Sequence, residues 1–393
     1  MDEDIRSIVI IGGGLAGAHA AQALRERSYD GALTLLAAEQ HPPYERPPLS
    51  KGILLGEATA DSAVVHPLSW YDEQGIDLRC GVRAESIDRE AREVLLAGGE
   101  RLGYDRLLLA PGANPRRLRS LEVEGADVRY LRTLDDSVAL KERLSGRLLI
   151  IGGGWIGLEV AAAARAAGGT VTVAVRGELP LVQVLGREVA EVFAGLHREH
   201  GVDLRTQVEV KAVRREGEVT IAELSDGSVL EVDTILVGIG AAPAIELAAA
   251  AGLPGTEGIE VDAALRTVDP RVCAAGDVAL HDHPRLGRMR VDHWDAAIEQ
   301  GKHVAGTLLG SEEPYERLPY FFTDQYDLGM EYVGHPGERA CEEVRLLGDV
   351  PGRVFRAYWL RDGTVVAGMH VNDWDAIEEV RRLVGGDAAD LPG

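Results

Sequence analysis

A chain of 393 residues exceeds what one hydrophobic core supports, so two or three domains are expected. Its formal charge of -23, from 64 acidic against 41 basic residues, argues against nucleic acid as a partner, because phosphate binding is driven by Lys and Arg that release counterions. No stretch has the ~20 uninterrupted apolar residues of a bilayer span. Three cysteines set far apart, Cys80, Cys273 and Cys341, suggest neither a disulfide framework nor a metal site.

The opening, MDEDIRS, is acidic and unlike a cleavable signal, so the sequence reads as a cytoplasmic, membrane-free protein. VIIGGGLAGAHAAQAL then predicts a short buried strand, a glycine turn and an Ala-rich helix. Gly12, Gly14 and Gly17 fit GxGxxG, in which the first glycine permits the turn, the second admits a pyrophosphate and the third lets helix and strand pack; Leu15 and Ala16 complete the turn. The next strand, ALTLLAAE, ends in Glu39, about where an acid holds a ribose. LLLAPGANPR is a buried strand entering a turn at Ala110 to Gly112.

The glycine pattern returns in RLLIIGGGWIGLEVAAAARAAGG, with Gly152, Gly154 and Gly157 around Ile156, followed by the strand VTVAVRGE. There the expected acid is absent: Val175 holds its place and Arg176 follows, which relaxes a preference for NADH and makes NADPH acceptable. ILVGIGAAPAIELA repeats the strand and turn at Gly238 and Gly240, after alternating segments such as VEVKAVRREGEVTIAEL that predict a β-meander in each half. TVDPRVCAAGDVA supplies a strand ending at Asp277, suited to a polyol or to a helix N-cap. One GxGxxG turn is a weak signal; two, each between strand and helix and a domain length apart, imply two dinucleotides, a flavin and a nicotinamide. The fold class is therefore α/β, with two Rossmann-type dinucleotide-binding domains.

PYERPPLSKGIL, TVDPRVCAAGDVA, VDHWDAAIEQGKHVAG and PYFFTDQYDLGMEYVG resemble the FAD-dependent ferredoxin reductases of bacterial oxygenase and P450 systems, the putidaredoxin-reductase-like and biphenyl-dioxygenase-reductase-like flavoproteins. Apoptosis-inducing factor is a more distant relative. The resemblance implies a glutathione-reductase-like arrangement: an FAD domain from 1–115 and 241–320, an NAD(P) domain from 116–240, and a C-terminal α+β domain at 321–393. It implies flavin or nicotinamide contacts from Arg46, Pro47, Lys51, Val82, Arg132, His293, Trp294 and Phe322, with Lys51 beside the flavin ring and Glu159 pairing with it as the catalytic residues. The cofactors would be FAD and NADPH, with NADH possible, and the acceptor an iron–sulfur ferredoxin; the chain would be a monomer or homodimer.

Departures from the family pattern stand at Phe322 for Trp, Pro111 for Thr, Ala244 for Asn and Val175 for an acid. Other acceptors left open are a rubredoxin, oxygen or a small molecule; a redox-sensing interaction protein is the alternative of another class. Two arginine groups, Arg285, Arg288 and Arg290, and Arg353, Arg356 and Arg361, are candidates for steering an acidic ferredoxin.

Overall fold

The computed structural model describes residues 5–337 and 341–392. The chain forms two compact units, one of Met1–Glu45, Ala63–Asn114 and Ala242–Tyr320, the other of Arg46–Ser62, Pro115–Ala241 and Phe321–Gly393.

In the first unit a five-stranded sheet runs in the order Val272–Ala274, Arg106–Leu109, Ser7–Ile11, Ala32–Ala37, Ile76–Cys80. Every neighbouring pair is parallel. Ile8, Ile10, Leu33, Leu35, Leu107 and Leu108 are buried, the unbroken apolar run of strands covered on both faces. Helix Leu15–Glu26 lies against helix Trp294–Leu308 at short range, since a Cβ at Gly301 would stand 2.5 Å from the Ala16 carbonyl oxygen. Ala16, Ala20 and Ala23 keep the first helix thin enough for that approach. The strands Ala84–Asp88, Glu93–Leu96 and Arg101–Gly103 form an antiparallel meander inserted before the fourth strand in sequence order of the sheet.

The second unit repeats the plan. Its parallel sheet runs Asp203–Thr206, Thr170–Val175, Arg147–Ile151, Thr234–Val237, Val128–Arg129, and its meander is Val210–Glu216, Val219–Leu224 and Val229–Val232. Helix Leu134–Lys141 opens with a capping box, in which the Thr133 hydroxyl accepts from Asp136 N at 3.1 Å while the Asp136 carboxylate accepts from Thr133 N at 2.8 Å. From Tyr320 onward the chain builds an antiparallel sheet ordered Tyr320–Gln325, Leu328–Gly334, Thr364–Val371, Val354–Arg361, Glu343–Asp349. One core joins this sheet to helix Val182–Glu199: Leu185, Val189 and Phe193 pack with Leu328, Met330 and Trp359, and the Trp359 indole N–H donates to the Leu185 carbonyl at 3.2 Å.

Candidate functional site

The two glycine turns are built alike. Gly12 sits at φ +126° and Gly152 at +112°, conformations that side chains other than glycine rarely adopt. A Cβ would stand 2.0 Å from the Ala110 oxygen in the first case and 2.3 Å from the Gly238 oxygen in the second, so Ala110 and Gly238 close the two turns through their carbonyls. Gly17 and Gly157 are equally constrained, their Cβ positions lying 2.0 and 2.7 Å from the Gly12 and Gly152 oxygens.

Gly14 and Gly154 differ. Their φ values of -88° and -85° suit any residue, and an added Cβ would meet nothing within 4 Å. Packing therefore does not demand glycine there; its bareness keeps open the space in front of each helix. Neither helix has a side-chain cap or an acid in its first turn, so the backbone N–H groups face that space with the positive end of the dipole. The cradle fits a pyrophosphate at both places. Leu15 and Ala16 are buried, leaving their backbone as the part that faces a ligand, whereas Ile156 is 42% exposed in the first turn of the second helix.

The rim of the first turn is tied together by backbone bonds. Val82 N donates to the Ala37 oxygen at 3.0 Å, and Gly81 N to the Glu39 oxygen at 2.8 Å; the Glu39 carboxylate accepts from the Tyr44 hydroxyl. Gly112, at φ +73°, accepts from Ala244 N at 2.9 Å. Asp277 follows the strand Val272–Ala274 and is held by Arg290, whose guanidinium donates to its backbone oxygen at 3.0 Å. Beside it, Gly276 N donates to the buried Gln300 side chain at 2.8 Å. His293 is the N-cap residue of helix Trp294–Leu308, and the Trp294 indole donates to Glu45 at 3.2 Å. Gln300 and Glu45 are missed by the sequence reading, which names Arg290 only as a candidate for steering a ferredoxin; the signal for their place here is adjacency to AAGD, DHW and YERPP.

In the second unit, Arg46 donates to the Arg132 carbonyl, and Pro47 opens the 3-10 turn Pro47–Ser50 that delivers Lys51. Lys51 Nζ lies 2.6 Å from Glu159 Oε1. Glu159, on helix Trp155–Ala166, is 5% exposed and accepts from two more donors, the Ser50 hydroxyl and the Thr323 hydroxyl at 2.6 Å. A buried carboxylate is stable only when paired and hydrogen-bonded, and this one is both. The ammonium also lies 5.4 Å from the Phe322 ring centre, within cation–π range. Sequence reading finds Lys51, Glu159 and Phe322 but misses Ser50 and Thr323, hydroxyl residues next to two of them in LSK and FFTDQ.

Strand register revises the comparison of the two ribose positions. Ile11 pairs with Leu36 and Ile151 with Ala174, so Val175 corresponds to Ala37, and Gly177 stands where the first half has Glu39. Val175 is 6% exposed and packs in the core beneath Gly153. The Arg176 side chain is 88% exposed, with Nε 3.2 Å from Glu209. A second guanidinium comes from helix Val182–Glu199: Arg187 pairs with Glu178, just after Arg176 and Gly177. Gly240, at φ +97°, accepts from Arg116 N at 2.9 Å.

The arginine groups are not bare positive charge. Arg288 pairs with Asp282, Arg290 lies 3.6 Å from Asp292, Arg353 pairs with Glu199, and Arg356 bridges Asp373 and Glu379. Cys80, Cys273 and Cys341 are separate free thiols. Among the described residues no helix is long and apolar enough to cross a membrane.

Two Rossmann units, each with a phosphate-sized cradle, followed by an antiparallel sheet, define a flavoprotein reductase of the two-dinucleotide class. The chain belongs to the pyridine nucleotide-disulphide oxidoreductases, whose family model matches residues 6–301, and a reductase C-terminal domain matches residues 320–392. It is 39% identical over 393 residues to the anthranilate 1,2-dioxygenase system ferredoxin–NAD(+) reductase component of Burkholderia cepacia, covering 98% of this chain and 95% of that protein. Rhodocoxin reductase of Rhodococcus erythropolis is 38% identical, covering 90% of this chain and 83% of its own. Among solved structures, the covalent putidaredoxin reductase–putidaredoxin complex aligns with a TM-score of 0.92 at 35% identity, covering 97% of this chain and 93% of that one.

Proposed function

We propose that this protein is an FAD-dependent NAD(P)H oxidoreductase that passes electrons to an iron–sulfur ferredoxin serving a cytochrome P450 or a non-haem oxygenase. The observation that carries the reading is the pair of open cradles at Gly14 and Gly154, joined in one chain to the part-buried Lys51 paired with the buried Glu159. The printed role of the Burkholderia cepacia relative, a ferredoxin–NAD(+) reductase component, supports the same acceptor. Residues 1–115 and 241–320 would hold the flavin and 116–240 the nicotinamide, with 321–393 completing the chain, in the cytoplasm.

FAD would be held by the backbone at Gly12, Gly14 and Gly17, with Glu39 on the adenosine ribose and Asp277 on the ribityl chain. NAD(P)H would be held by the backbone at Gly152, Gly154 and Gly157. When bound, the flavin supplies the chemistry, taking a hydride from the nicotinamide and releasing electrons singly. The protein's own residues then have plain tasks. Glu159 keeps Lys51 in one position, and Lys51 offers a fixed positive charge to the ring that becomes electron-rich on reduction. Trp294 and Phe322 offer aromatic surface to exclude water.

NADPH is accepted at least as well as NADH in this reading. Arg176 carries an exposed planar donor fork that would turn from Glu209 toward a 2′-phosphate, and Arg187 neutralises Glu178, the carboxylate that would otherwise repel it. The test is reduction of a [2Fe–2S] ferredoxin with each nicotinamide. Arg176→Ala should lower kcat/KM for NADPH by about tenfold while sparing NADH, a ~1.4 kcal/mol effect. A wild type that prefers NADH by tenfold or more contradicts the cofactor assignment; a protein that is colourless, or reduces no ferredoxin, contradicts the function.

A further inference from the structure

Glu159 does more than face Lys51: it is the end of a buried line of polar side chains. Thr323 Oγ1 donates to Glu159 at 2.6 Å, and Gln325 Nε2 donates to Thr323 Oγ1 at 3.2 Å. Gln325 Oε1 lies 2.8 Å from His197 Nε2, and the Tyr326 hydroxyl lies 3.4 Å from His197 Nδ1. Thr323, Gln325 and His197 are each at most 1% exposed. The line surfaces at Tyr326, whose half-buried ring stacks on His200 at 3.7 Å between centres.

Each member constrains the next. Glu159 as a carboxylate only accepts, so the Thr323 proton must point to it, and the Thr323 lone pairs are then free to accept from the Gln325 amide. That fixes which end of the Gln325 amide is the oxygen, and the oxygen requires a proton on His197 Nε2. Nδ1 is left as an acceptor for Tyr326. Every donor along the line thus points the same way, toward Glu159, and chains of this kind polarise and stiffen their last bond.

We propose that His197 and Gln325 are positioning residues for the reaction: acting through Thr323, they fix the orientation of the Glu159 carboxylate and hence of the Lys51 ammonium. The roles of Lys51 and Glu159 rest on the function proposed above, whereas the hydrogen-bonded line is independent of it. Burial holds the His197 imidazole neutral, which is the state the line needs. Lys51 and Asp324 are the charged groups that bear on Glu159, Glu331 bears on Asp324, and His200 and Arg165 lie near the far end.

The test uses the full-length, flavin-loaded protein. In wild type the His197 nitrogen shifts should report the Nε2–H tautomer; the Nδ1–H tautomer overturns the proposal without any variant. In protein labelled with carboxyl-13C glutamate, Glu159 is assigned by its loss in Glu159→Gln. Thr323→Val should move the Glu159 carboxyl 13C resonance at neutral pH, because the carboxylate loses one hydrogen-bond donor. Gln325→Leu should move it the same way by a smaller step, and Thr323→Ser should restore it. The limiting rate of flavin reduction should fall by about tenfold in Thr323→Val with nicotinamide affinity unchanged. A Gln325→Leu protein with the wild-type Glu159 carboxyl resonance ends the line at Thr323 and refutes the proposal. If these shifts appear in a protein that reduces no ferredoxin, the line stands and the functional reading falls.

Discussion

Substituting valine at Gly14 or Gly154 puts a side chain into open space, whereas alanine at Gly12 drives a methyl group into the Ala110 carbonyl at a φ that disfavours it. The first pair should fold with nearly wild-type melting temperature and lose one ligand each: Gly14→Val its flavin, Gly154→Val its response to nicotinamide. Gly12→Ala should be destabilised by several kcal/mol, combining backbone strain with a clash. Thermal unfolding with flavin absorbance separates the two effects; a Gly14→Val protein that stays fully yellow refutes the cradle. At Lys51, substitution by Gln removes the charge and leaves Glu159 with one charged donor fewer. Flavin reduction should slow by roughly 10²-fold, the effect of removing one preorganised electrostatic group. Lys51 and Glu159 were legible in sequence because each sits in a motif. Ser50 and Thr323 were not, because a hydroxyl's role depends on which carboxylate the fold brings to it across more than a hundred residues.

The strand–turn–helix units were the clearest elements in the sequence, since a buried strand followed by spaced glycines has few other solutions. The two meanders were readable from alternation. Less readable was the counting at strand ends: equating Val175 with the ribose acid follows the sequence motif, but the parallel register equates it with Ala37 and sets it in the core. Pairing fixes that count, and pairing is a tertiary fact. Two elements offer tests of their own. Thr133→Ala removes half of the capping box on helix Leu134–Lys141 and should cost about 1 kcal/mol with flavin content unchanged; denaturant midpoints measure it, and no loss would mean the cap is not formed. Helix Val182–Glu199 carries His197, whose burial lowers its pKa from 6.5 to about 4. The folded state therefore stays neutral while the unfolded chain takes up a proton below pH 6.5. This contribution is complete above the unfolded value and is lost as pH falls toward 4, by up to about 3 kcal/mol. Stability followed from pH 7.5 to 4.5 should drop more steeply in wild type than in His197→Gln; parallel curves would contradict the neutral, buried imidazole.

Across the whole molecule, a charge of -23 repels an acidic ferredoxin at long range, and four of the six arginines that sequence suggested for steering, Arg288, Arg290, Arg353 and Arg356, are paired with carboxylates of the same chain. Raising ionic strength from about 0.01 to about 0.1 M shortens the Debye length from about 30 to about 10 Å. The kcat/KM for an acidic ferredoxin should hold or rise over that range; a steep fall would show that an unpaired basic surface steers docking.

The central claim, two dinucleotides serving a one-electron acceptor, is tested most directly by anaerobic stopped-flow with a [2Fe–2S] ferredoxin. One equivalent of NADPH or NADH should bleach the bound flavin, and the reduced protein should then deliver two electrons to two ferredoxins with recovery of the oxidised spectrum. A flavin that bleaches but reoxidises only when oxygen is admitted, leaving the ferredoxin oxidised, would contradict it.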